Sequence, residues 1–383
     1  MKTQLQQQFN NIYHKPAEKF YFSPGRVNLI GEHIDFNGGL VMPCAINMGT
    51  YLLISFNNDN VLRLRSLNFD ETLDTPLIDQ YQKTGNKWFN YPLGVVNLFL
   101  KDGHQIGGID FLYYGDIPIG SGLSSSASIE IVTAFALNDI FNAGYSKLDL
   151  VKMCKRVENE FIGLNSGIMD QFAVAFGQKG KAVLIDCNKL TYEAVNCDLK
   201  EYELVIINTN KPRKLAESSY NDRAQDCQNA LTMLKKELDI NYLCDIDTNK
   251  FNAYKHLITD ENAAKRAQHV IEENDRVKIA TIALNSGDIS RFGELMYASH
   301  YSLKDKYEVS GKELDSIVEY CESDKNVAGA RMTGAGFGGC AIALVKKGKF
   351  EAFSTGVIEY YTNHIGYAPS VYNAVISNGV GII

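Results

Sequence analysis

The sequence predicts an α+β protein of two domains, and three observations lead to this fold class. The chain has 383 residues, which is more than one domain of about 150 residues usually contains. Hydrophobic residues make up 45% and charged residues 22% of the chain, so apolar side chains suffice for two cores. Strand-like segments near both ends enclose a more helical and more charged middle. We therefore predict domains over residues 1–195 and 196–383, with a shared interface.

The first half is predicted to open with strands and to continue with helices. Residues 20–66 are rich in β-branched and aromatic side chains, and Pro24, Gly31 and the Asn37-Gly38-Gly39 turn interrupt them. This pattern favours antiparallel strands joined by a glycine turn. Apolar spacing then predicts a helix over 91–100, a strand over 109–115, helices over about 124–141 and 148–163, and strands over 182–187 and 202–208.

The second half is predicted to be helical at first and to end with strands. Helical spacing extends over residues 216–238, 262–284, 288–300 and 311–323. Strand-like segments follow over 326–332 and 340–345, then a helix over 349–363 and a last strand over 371–376. The chain contains no internal repeat and no low-complexity linker between the halves.

Net charge and cysteine usage limit the possible partners and compartments. The formal net charge is −7, so there is no general basic field to hold a nucleic acid. The eight cysteines include no C-x-x-C pair, which indicates thiols in a reducing cytosol and no zinc or dithiol site. No segment has the 18 or so apolar residues of a membrane helix, and the start lacks an apolar signal region. We expect a cytoplasmic monomer without a nucleic-acid or membrane partner.

A run of small residues, GSGLSSSAS over 120–128, stands between a predicted strand and a predicted helix. Small residues let the backbone approach a ligand, and free N–H groups at a helix N-terminus favour an anion. The run is not a Walker loop, because no G-K-[ST] follows, and Ser125 occupies the third glycine position of the dinucleotide fingerprint. It predicts a phosphate-binding loop, with a turn capped by serine side chains as the simpler alternative.

A second glycine-rich segment, TGAGFGG over 333–339, formally matches G-x-G-x-x-G. It precedes a predicted strand and not a helix, so its context differs from that of a dinucleotide-binding turn. We interpret it as a turn between strands. Its glycines would let the main chain come close to a bound group or to the first loop.

The third segment, GRVNLIGEHID over 25–35, contains several charged side chains within a strand-like sequence. It contains Arg26, Glu32, His33 and Asp35. A carboxylate accepts hydrogen bonds from two hydroxyls at once, as sugar recognition requires. Together with a phosphate loop, the segment predicts a polyol site. The alternatives are a solvated charged loop and a histidine that packs only its own loop.

In this order, the three segments resemble the signature motifs of the GHMP kinase superfamily, and GRVNLIGEHIDFNGG is similar to the galactokinase signature in particular. The similarity extends to ENEFIGLNSGIMDQFA, ESSYNDR, KRAQHVIEENDRV, ASHYSLKDKYEVS and RMTGAGFGGCAIAL, so it covers nearly the whole chain. The resemblance implies an N-terminal α/β domain of ribosomal-protein-like topology with the phosphate loop and a ferredoxin-like C-terminal domain. It also implies ATP-dependent phosphorylation of the anomeric hydroxyl of α-D-galactose, the entry step of the Leloir pathway.

The same resemblance implies the site residues, with ATP and Mg²⁺ as cofactors. Sugar-contacting positions fall on Glu32, His33, Asp35, Asp170 and Tyr220. The ATP phosphate loop falls on Gly122, Leu123, Ser124, Ser125, Ser126, Ala127 and Ser128, and Ser66 falls on the adenine side. The magnesium positions fall on Ser128 and Glu158, and the catalytic pair on Arg26 and Asp170.

Asp170 is the group expected to act on the sugar hydroxyl. It stands in the first turn of the predicted helix IMDQFAVAF, where the helix dipole and a nearby Arg26 favour its charged form. A loose transition state places little charge on the nucleophile until late, so positioning outweighs basicity. Arg26 either holds Asp170 or stabilises the transferring phosphoryl group. Glu158 with Ser128 would form a sparse site of the kind Mg²⁺ commonly uses.

Two positions differ from the commonest galactokinase signature sequence, namely Ile34 where threonine is usual and Phe36 where tyrosine is usual. Ile34 resembles the N-acetylgalactosamine kinase relatives, which leaves specificity at sugar carbon 2 open. One alternative is therefore a kinase for N-acetylgalactosamine or another hexose. The other is a galactose sensor without turnover, against which the intact serine run, Arg26 and Asp170 argue.

Overall fold

The computed structural model describes residues 1–118, 120–164, 167–211 and 216–383. Its strands are β1 (Lys19–Asn28), β2 (Leu40–Val41), β3 (Pro43–Asn57), β4 (Val61–Ser66), β5 (Leu73–Pro76), β6 (Gly108–Gly115), β7 (Lys181–Asp186), β8 (Thr191–Asn196), β9 (Tyr202–Asn208), β10 (Val327–Thr333), β11 (Cys340–Lys346), β12 (Ser370–Ala374) and β13 (Gly381–Ile382). Its α-helices are α1 (Lys2–Tyr13), α2 (Asn90–Lys101), α3 (Ser125–Ile140), α4 (Lys147–Arg156), α5 (Met169–Phe176), α6 (Ala216–Leu234), α7 (Thr248–Tyr254), α8 (Glu261–Ser286), α9 (Ile289–Ser302), α10 (Gly311–Ser323) and α11 (Phe350–Ile365).

The first sheet has the strand order β13-β1-β3-β6-β4-β5. β1 and β3 pair antiparallel, as the glycine-turn pattern predicts, whereas β4 and β6 are parallel. Helices α3 and α5 pack on β1 and β3. Helix α1 covers the other face of the sheet through a small apolar cluster of Leu5, Phe9, Phe20, Leu53 and Leu112.

The second sheet has the strand order β10-β11-β9-β12, and all its pairs are antiparallel. Along the chain, its elements follow the order strand, helices, two strands, helix and strand. This is the β-α-β-β-α-β order of the ferredoxin-like fold, which the resemblance implies for the C-terminal domain. A third, smaller sheet joins β2, β7 and β8.

The ends of β1 and β10 bind each other directly. The Asn28 backbone N–H donates to Thr333 Oγ1 at 2.9 Å, and this hydroxyl donates to the Asn28 carbonyl at 3.0 Å. Buried apolar side chains of both large sheets belong to one continuous cluster. Within the described ranges, none of the helices combines the length and the hydropathy that crossing a membrane requires.

Most predicted elements are present with bounds shifted by a few residues, but the sequence reasoning does not identify α1, α7, β5, β8 and β13. These elements give weak patterns, since β8 is exposed at most positions, α7 has seven residues and β13 has two. β13 pairs with β1. The last residues therefore return to the first sheet across the boundary predicted near residue 195.

Candidate active site

Three glycine-containing segments meet at the junction of the two large sheets. A Cβ atom on Gly25, in β1, would lie 2.7 Å from the carbonyl oxygen of Leu123. A Cβ atom on Gly334, in the turn after β10, would lie 3.6 Å from the carbonyl oxygen of Gly122. The turn after β10 thus lies against the loop before α3. The expected approach of this turn to the first loop is therefore observed, although a side chain at Gly334 would also fit at this contact.

The loop before α3 has the backbone of an anion site. Gly120, Gly122 and Ser124 have φ angles of 74°, 79° and 62°, in the left-handed region. Left-handed residues at every second position are typical of loops whose N–H groups form a concave anion-binding surface. The loop leads directly into the N-terminus of α3, which also favours an anion. The geometry therefore supports the prediction of a phosphate-binding loop.

Ser124 precedes α3 but does not cap it. Its side chain makes no capping hydrogen bond, and its Oγ instead donates to Asp170 Oδ2 at 2.6 Å. The left-handed backbone directs the hydroxyl away from the helix N–H groups and toward this carboxylate. The simpler interpretation of the serine run as a capped turn is therefore wrong at this residue.

Arg26 and Asp170 form a bidentate ion pair. Arg26 Nε donates to Asp170 Oδ1 at 2.8 Å, and Nη2 donates to Oδ2 at 2.9 Å. Arg26 also donates from Nη1 to the Gly122 carbonyl at 2.8 Å and from its backbone N–H to the Leu123 carbonyl at 3.1 Å. Asp170 lies in the first turn of α5, as predicted. Arg26, 5% exposed, thus links the phosphate loop to the carboxylate.

The two serines near the predicted magnesium position have different hydrogen-bond partners. Ser128 is completely buried, and its Oγ donates to the Ser23 carbonyl at 2.8 Å and lies within hydrogen-bond distance of Thr50 Oγ1, at 2.9 Å. Ser126 Oγ instead donates to Glu158 Oε1 at 3.3 Å. Two positions along an α-helix differ by about 200° around its axis. Ser128 therefore faces the sheet while Ser126 faces Glu158, which favours Ser126 over the predicted Ser128 as the partner of Glu158.

Glu32 is turned into the protein. It is 1% exposed, its Oε2 forms an ion pair with the completely buried Arg331, and its Oε1 accepts from the Gly334 N–H at 3.0 Å. Burial raises the pKa of Glu32 to about 7, although Arg331 opposes this shift. Glu32 thereby holds the turn after β10 against the signature segment.

His33 stands at a strained position beside two aromatic rings. Its φ is 64°, and its ring centre lies 4.6 Å from that of Tyr307 and 5.5 Å from that of Tyr220. Nε2 lies 3.2 Å from the Ala335 carbonyl, so this nitrogen carries the proton. Burial lowers the pKa of His33 to about 3. The imidazole is therefore neutral, and its Nδ1 is an acceptor.

Asp35 lies close enough to Asp170 and Tyr220 to interact with them electrostatically. Burial and the negative charge of Asp170 raise the pKa of Asp35 to about 6. Burial, with a contribution from both carboxylates, raises the pKa of Tyr220. A Cβ atom on Gly167 would lie 1.8 Å from Asp35 Oδ2, so the backbone before α5 closes over this carboxylate. Asp35, Asp170 and Tyr220, each predicted as sugar-contacting, are therefore brought together.

If Asp35 contacts a sugar, as the resemblance implies, we expect the KM for that sugar to rise as the pH falls through about 6. Below the raised pKa of Asp35, its carboxyl carries a proton and accepts fewer hydrogen bonds from hydroxyls. The KM measured between about pH 5 and pH 8 should show this rise. In Asp35→Asn the KM should be high, and the change near pH 6 should be lost. A wild-type KM that stays constant over this range would contradict the role of Asp35.

Ser66 lines a cavity of about 170 Å³ beside the phosphate loop. Ser125 and Ser126 form one side of it, and Phe69 and Trp88 form another. The rings of Phe69 and Trp88 are nearly parallel, at 14°, with centres 6.4 Å apart. A flat heterocycle fits against such aromatic walls. The cavity is thus suitably placed for the base of a nucleotide whose phosphates lie in the loop.

Comparisons with known proteins agree with this geometry. Residues 7–56 match the galactokinase galactose-binding signature, residues 90–178 the N-terminal domain of the GHMP kinases, and residues 280–363 their C-terminal domain. The chain is 47% identical over 377 residues to galactokinase of Clostridium tetani, covering 98% of this chain and 96% of the relative. It is also 47% identical over 384 residues to galactokinase of Streptococcus thermophilus, covering 100% and 99%.

The chain belongs to the galactokinase family of the GHMP kinases. The crystal structure of Lactococcus lactis galactokinase complexed with galactose matches it with a TM-score of 0.96 and 44% identity over 100% of both chains. A mevalonate kinase structure, 22% identical, matches 94% of this chain and 99% of its own with a TM-score of 0.69, which reflects the shared fold. The two-domain GHMP kinase fold and the identification as a kinase are thus confirmed.

The two departures from the usual galactokinase signature lie in different environments. Ile34 is completely buried, and a Cβ atom on Gly39 would come within 2.9 Å of its side chain. It packs beneath the glycine turn and does not line the site. Phe36 packs edge-on against Tyr220, with ring centres 5.8 Å apart. Of the two, Phe36 is therefore the one placed to influence sugar recognition, through the orientation of Tyr220.

Arg331 is a residue of this galactokinase-family site that the sequence reasoning misses. Besides Glu32, it contacts the Asn28 carbonyl at 3.3 Å and lies 3.9 Å from the buried Glu273. One feature of the sequence indicates it, namely a single arginine in an apolar strand that ends in a glycine turn. An arginine buried in such a strand requires carboxylate partners. Those partners lie far away in sequence, so a pattern within one segment does not indicate them.

Proposed function

We propose that this protein transfers the γ-phosphoryl group of ATP to the anomeric hydroxyl of α-D-galactose, giving galactose 1-phosphate and ADP. The observation that carries the proposal is the set of contacts that join Asp170 to the phosphate loop. Ser124 of the loop donates to Asp170 directly, and Arg26 binds both Asp170 and the Gly122 carbonyl. A carboxylate that can accept a hydrogen bond from a sugar hydroxyl therefore lies at the edge of the phosphate-binding loop. The galactose complex of the Lactococcus lactis relative supports the choice of sugar.

Each group has a defined task in this reaction. Asp170 orients the attacking hydroxyl and accepts its proton, while the loop N–H groups bind the phosphates of ATP. Asp35 and Tyr220 lie beside Asp170, where they would accept from and donate to other sugar hydroxyls. The neutral His33 adds an acceptor at Nδ1. Arg26 keeps Asp170 fixed relative to the loop, and its remaining N–H groups can face the phosphoryl group.

Oxygen ligands suited to Mg²⁺ lie where the start of α3 meets the helical turn after α4. Ser126 Oγ and Glu158 Oε1 are 3.3 Å apart, and this donor set fits an ion that usually takes one or two protein ligands and phosphate oxygens. Ser126 and Glu158 would hold the ion. When bound, Mg²⁺ supplies positive charge that neutralises the phosphates of ATP.

Alanine substitutions at Ser126 and Ser128 separate these two residues. We expect Ser126→Ala to raise the Mg²⁺ concentration needed for half-maximal rate by about tenfold, a typical cost of weakening a metal site. Ser128→Ala should leave the Mg²⁺ requirement unchanged and lower the melting temperature, because its hydroxyl bonds within the core. Rates measured over a Mg²⁺ titration test this. The reverse pattern would support the magnesium site of Ser128 and Glu158 that the sequence predicts.

A coupled assay of ATP consumption tests the function itself. The purified protein is assayed with Mg²⁺ and D-galactose, 2-deoxygalactose, N-acetylgalactosamine or glucose, with sugar-free ATP hydrolysis as the control. We expect strong turnover on galactose and little on the acetamido sugar. Preference for N-acetylgalactosamine would change the substrate and keep the mechanism. Saturable galactose binding without turnover would identify a sensor.

We further propose that the protein works as a cytoplasmic monomer. The eight cysteines are all free thiols in the structure, which supports a reducing compartment. Light scattering coupled to size exclusion tests the monomer, and a mass near 42.7 kDa is expected. A mass near twice that value would contradict it.

A further inference from the structure

Helix α8 presents a stripe of buried side chains to the signature segment over 25–35. His269, Glu273 and Val277 follow one another at intervals of four residues, so they lie on the same face of the helix. They belong to KRAQHVIEENDRV, a segment to which the proposed reaction gives no task. His269 and Glu273 are completely buried. Buried polar groups are normally hydrogen-bonded, and both of these bind the backbone between β1 and β2.

Glu273 accepts a hydrogen bond from the backbone of Gly31. The Gly31 N–H donates to Glu273 Oε1 at 3.0 Å, and the Ser299 hydroxyl donates to the same oxygen at 2.5 Å. Oε2 forms an ion pair with Arg276, so both oxygens of the carboxylate are held. Gly31 has a φ of 102°, and a Cβ atom there would lie 3.1 Å from the side chain of Val277. The glycine therefore lets the backbone come close to α8.

His269 binds the backbone of the next residue, Glu32. Its Nε2 lies 3.2 Å from the Glu32 carbonyl oxygen and therefore carries the proton, whereas Nδ1 accepts from Ser302 Oγ at 2.8 Å. The His269 ring centre also lies 4.7 Å from that of Tyr307, which in turn lies 4.6 Å from that of His33. The peptide groups before Gly31 and after Glu32 are thus both bound to α8.

Two of the predicted sugar-contacting residues follow these peptide groups directly. His33 comes next, with a φ of 64°, and Asp35 follows two residues later. A non-glycine residue in the left-handed region is strained, and such strain persists where neighbouring contacts impose the conformation. The bonds of α8 to Gly31 and Glu32 are contacts of this kind, because they fix the backbone immediately before His33.

We propose that His269 and Glu273 are positioning residues for sugar recognition, which hold the backbone of Gly31 and Glu32 on α8 and so keep His33 and Asp35 directed at the sugar. This inference rests on the proposed function, because that function assigns a sugar to this site. The predicted ATP residues lie elsewhere, in the loop before α3 and in β4. Loss of the α8 contacts should therefore weaken sugar binding and leave the KM for ATP unchanged.

Two variants of His269 separate its N–H group from its ring. His269→Phe keeps an aromatic ring beside Tyr307 and leaves the Glu32 carbonyl unpaired. We expect the KM for galactose, and the Kd for galactose from calorimetric titration without ATP, to rise at least about tenfold. The KM for ATP should change by less than about threefold. His269→Gln keeps an N–H donor, so its galactose constants should stay within about threefold of wild type. Equal losses in the two variants would overturn the proposal.

Two double variants test Glu273 without leaving an unpaired charge, because Arg331 keeps its ion pair with Glu32. Glu273→Met with Arg276→Met removes the ion pair and the acceptor for Gly31. Glu273→Gln with Arg276→Met removes the same ion pair and keeps an acceptor. We expect the galactose Kd to rise at least about tenfold in the first and by less than about threefold in the second. Equal Kd values in the two double variants would overturn the role of Glu273.

Ile271→Val is the matched control. Ile271 is completely buried in α8 and lies about 200° around the helix axis from His269, so its truncation destabilises α8 from another side. Its galactose Kd should match wild type, and a rise equal to that in His269→Phe would attribute the effect to helix stability and overturn the proposal. Wild-type protein that binds galactose without turnover would overturn the proposed function, whereas the Kd values of the variants would still test the positioning.

Discussion

Asp170→Ala is expected to lower kcat by at least about 100-fold, the low end of a general-base contribution. The carboxylate accepts from Arg26 and from Ser124, and its side chain is 32% exposed, so it can reach a substrate. Galactose binding should weaken and remain detectable, because Asp35 and Tyr220 are unchanged. Single-turnover rates and calorimetric titration with galactose measure the two effects separately. Near-full activity would remove Asp170 from the mechanism.

Two controls accompany this variant. Asp170→Asn keeps the size of the side chain and removes the carboxylate, so it should lose as much kcat as the alanine variant. If the asparagine variant retained most of the rate, space filling at this position would matter more than proton acceptance. Asp59→Ala removes a carboxylate whose side chain is 60% exposed, and its kcat should match wild type. Melting temperatures identify any loss of folding in each variant.

The sequence predicts the fold well where the pattern is local. The helix that begins after the serine run appears as α3, and the segment ending at Gly163 forms α4 with a π-helical turn at Val157–Ile162. Gly163 has a φ of 86°, which explains why the helical segment ends at a glycine. Elements whose partners lie far away in the sequence are harder to predict. β13 contributes two residues, and only its pairing with β1 makes it a strand.

The sequence predicts the residues of the site better than their contacts. It places Arg26 with Asp170, and the structure brings them together. It pairs Ser128 with Glu158 at a magnesium ion, whereas the hydrogen bond to Glu158 comes from Ser126. Which of the neighbouring serines faces Glu158 depends on the rotation of α3 over the sheet. Similarly, the αL backbone at Ser124 decides whether its hydroxyl caps the helix or binds Asp170. A run of five small residues contains no information on either orientation.

Arg26→Lys is expected to lower kcat by at least about 100-fold, although it keeps the positive charge. Lysine has no planar fork, so it cannot bind both oxygens of Asp170 and the Gly122 carbonyl at once. All three guanidinium nitrogens make these bonds in the structure. The buried lysine would leave Asp170 free to move relative to the loop. Steady-state kcat and the KM for ATP are the measurements.

The double variant Arg26→Lys with Asp170→Ala determines which of two roles Arg26 has. If Arg26 acts by holding Asp170, its loss costs little once Asp170 is absent, and the two effects do not add. If it stabilises the phosphoryl group independently, the two losses multiply. We expect the non-additive result, because the side chain is 6% exposed and each of its nitrogens already binds the protein. A multiplicative loss would instead assign Arg26 to the phosphoryl group, with its two remaining N–H groups as the contacts.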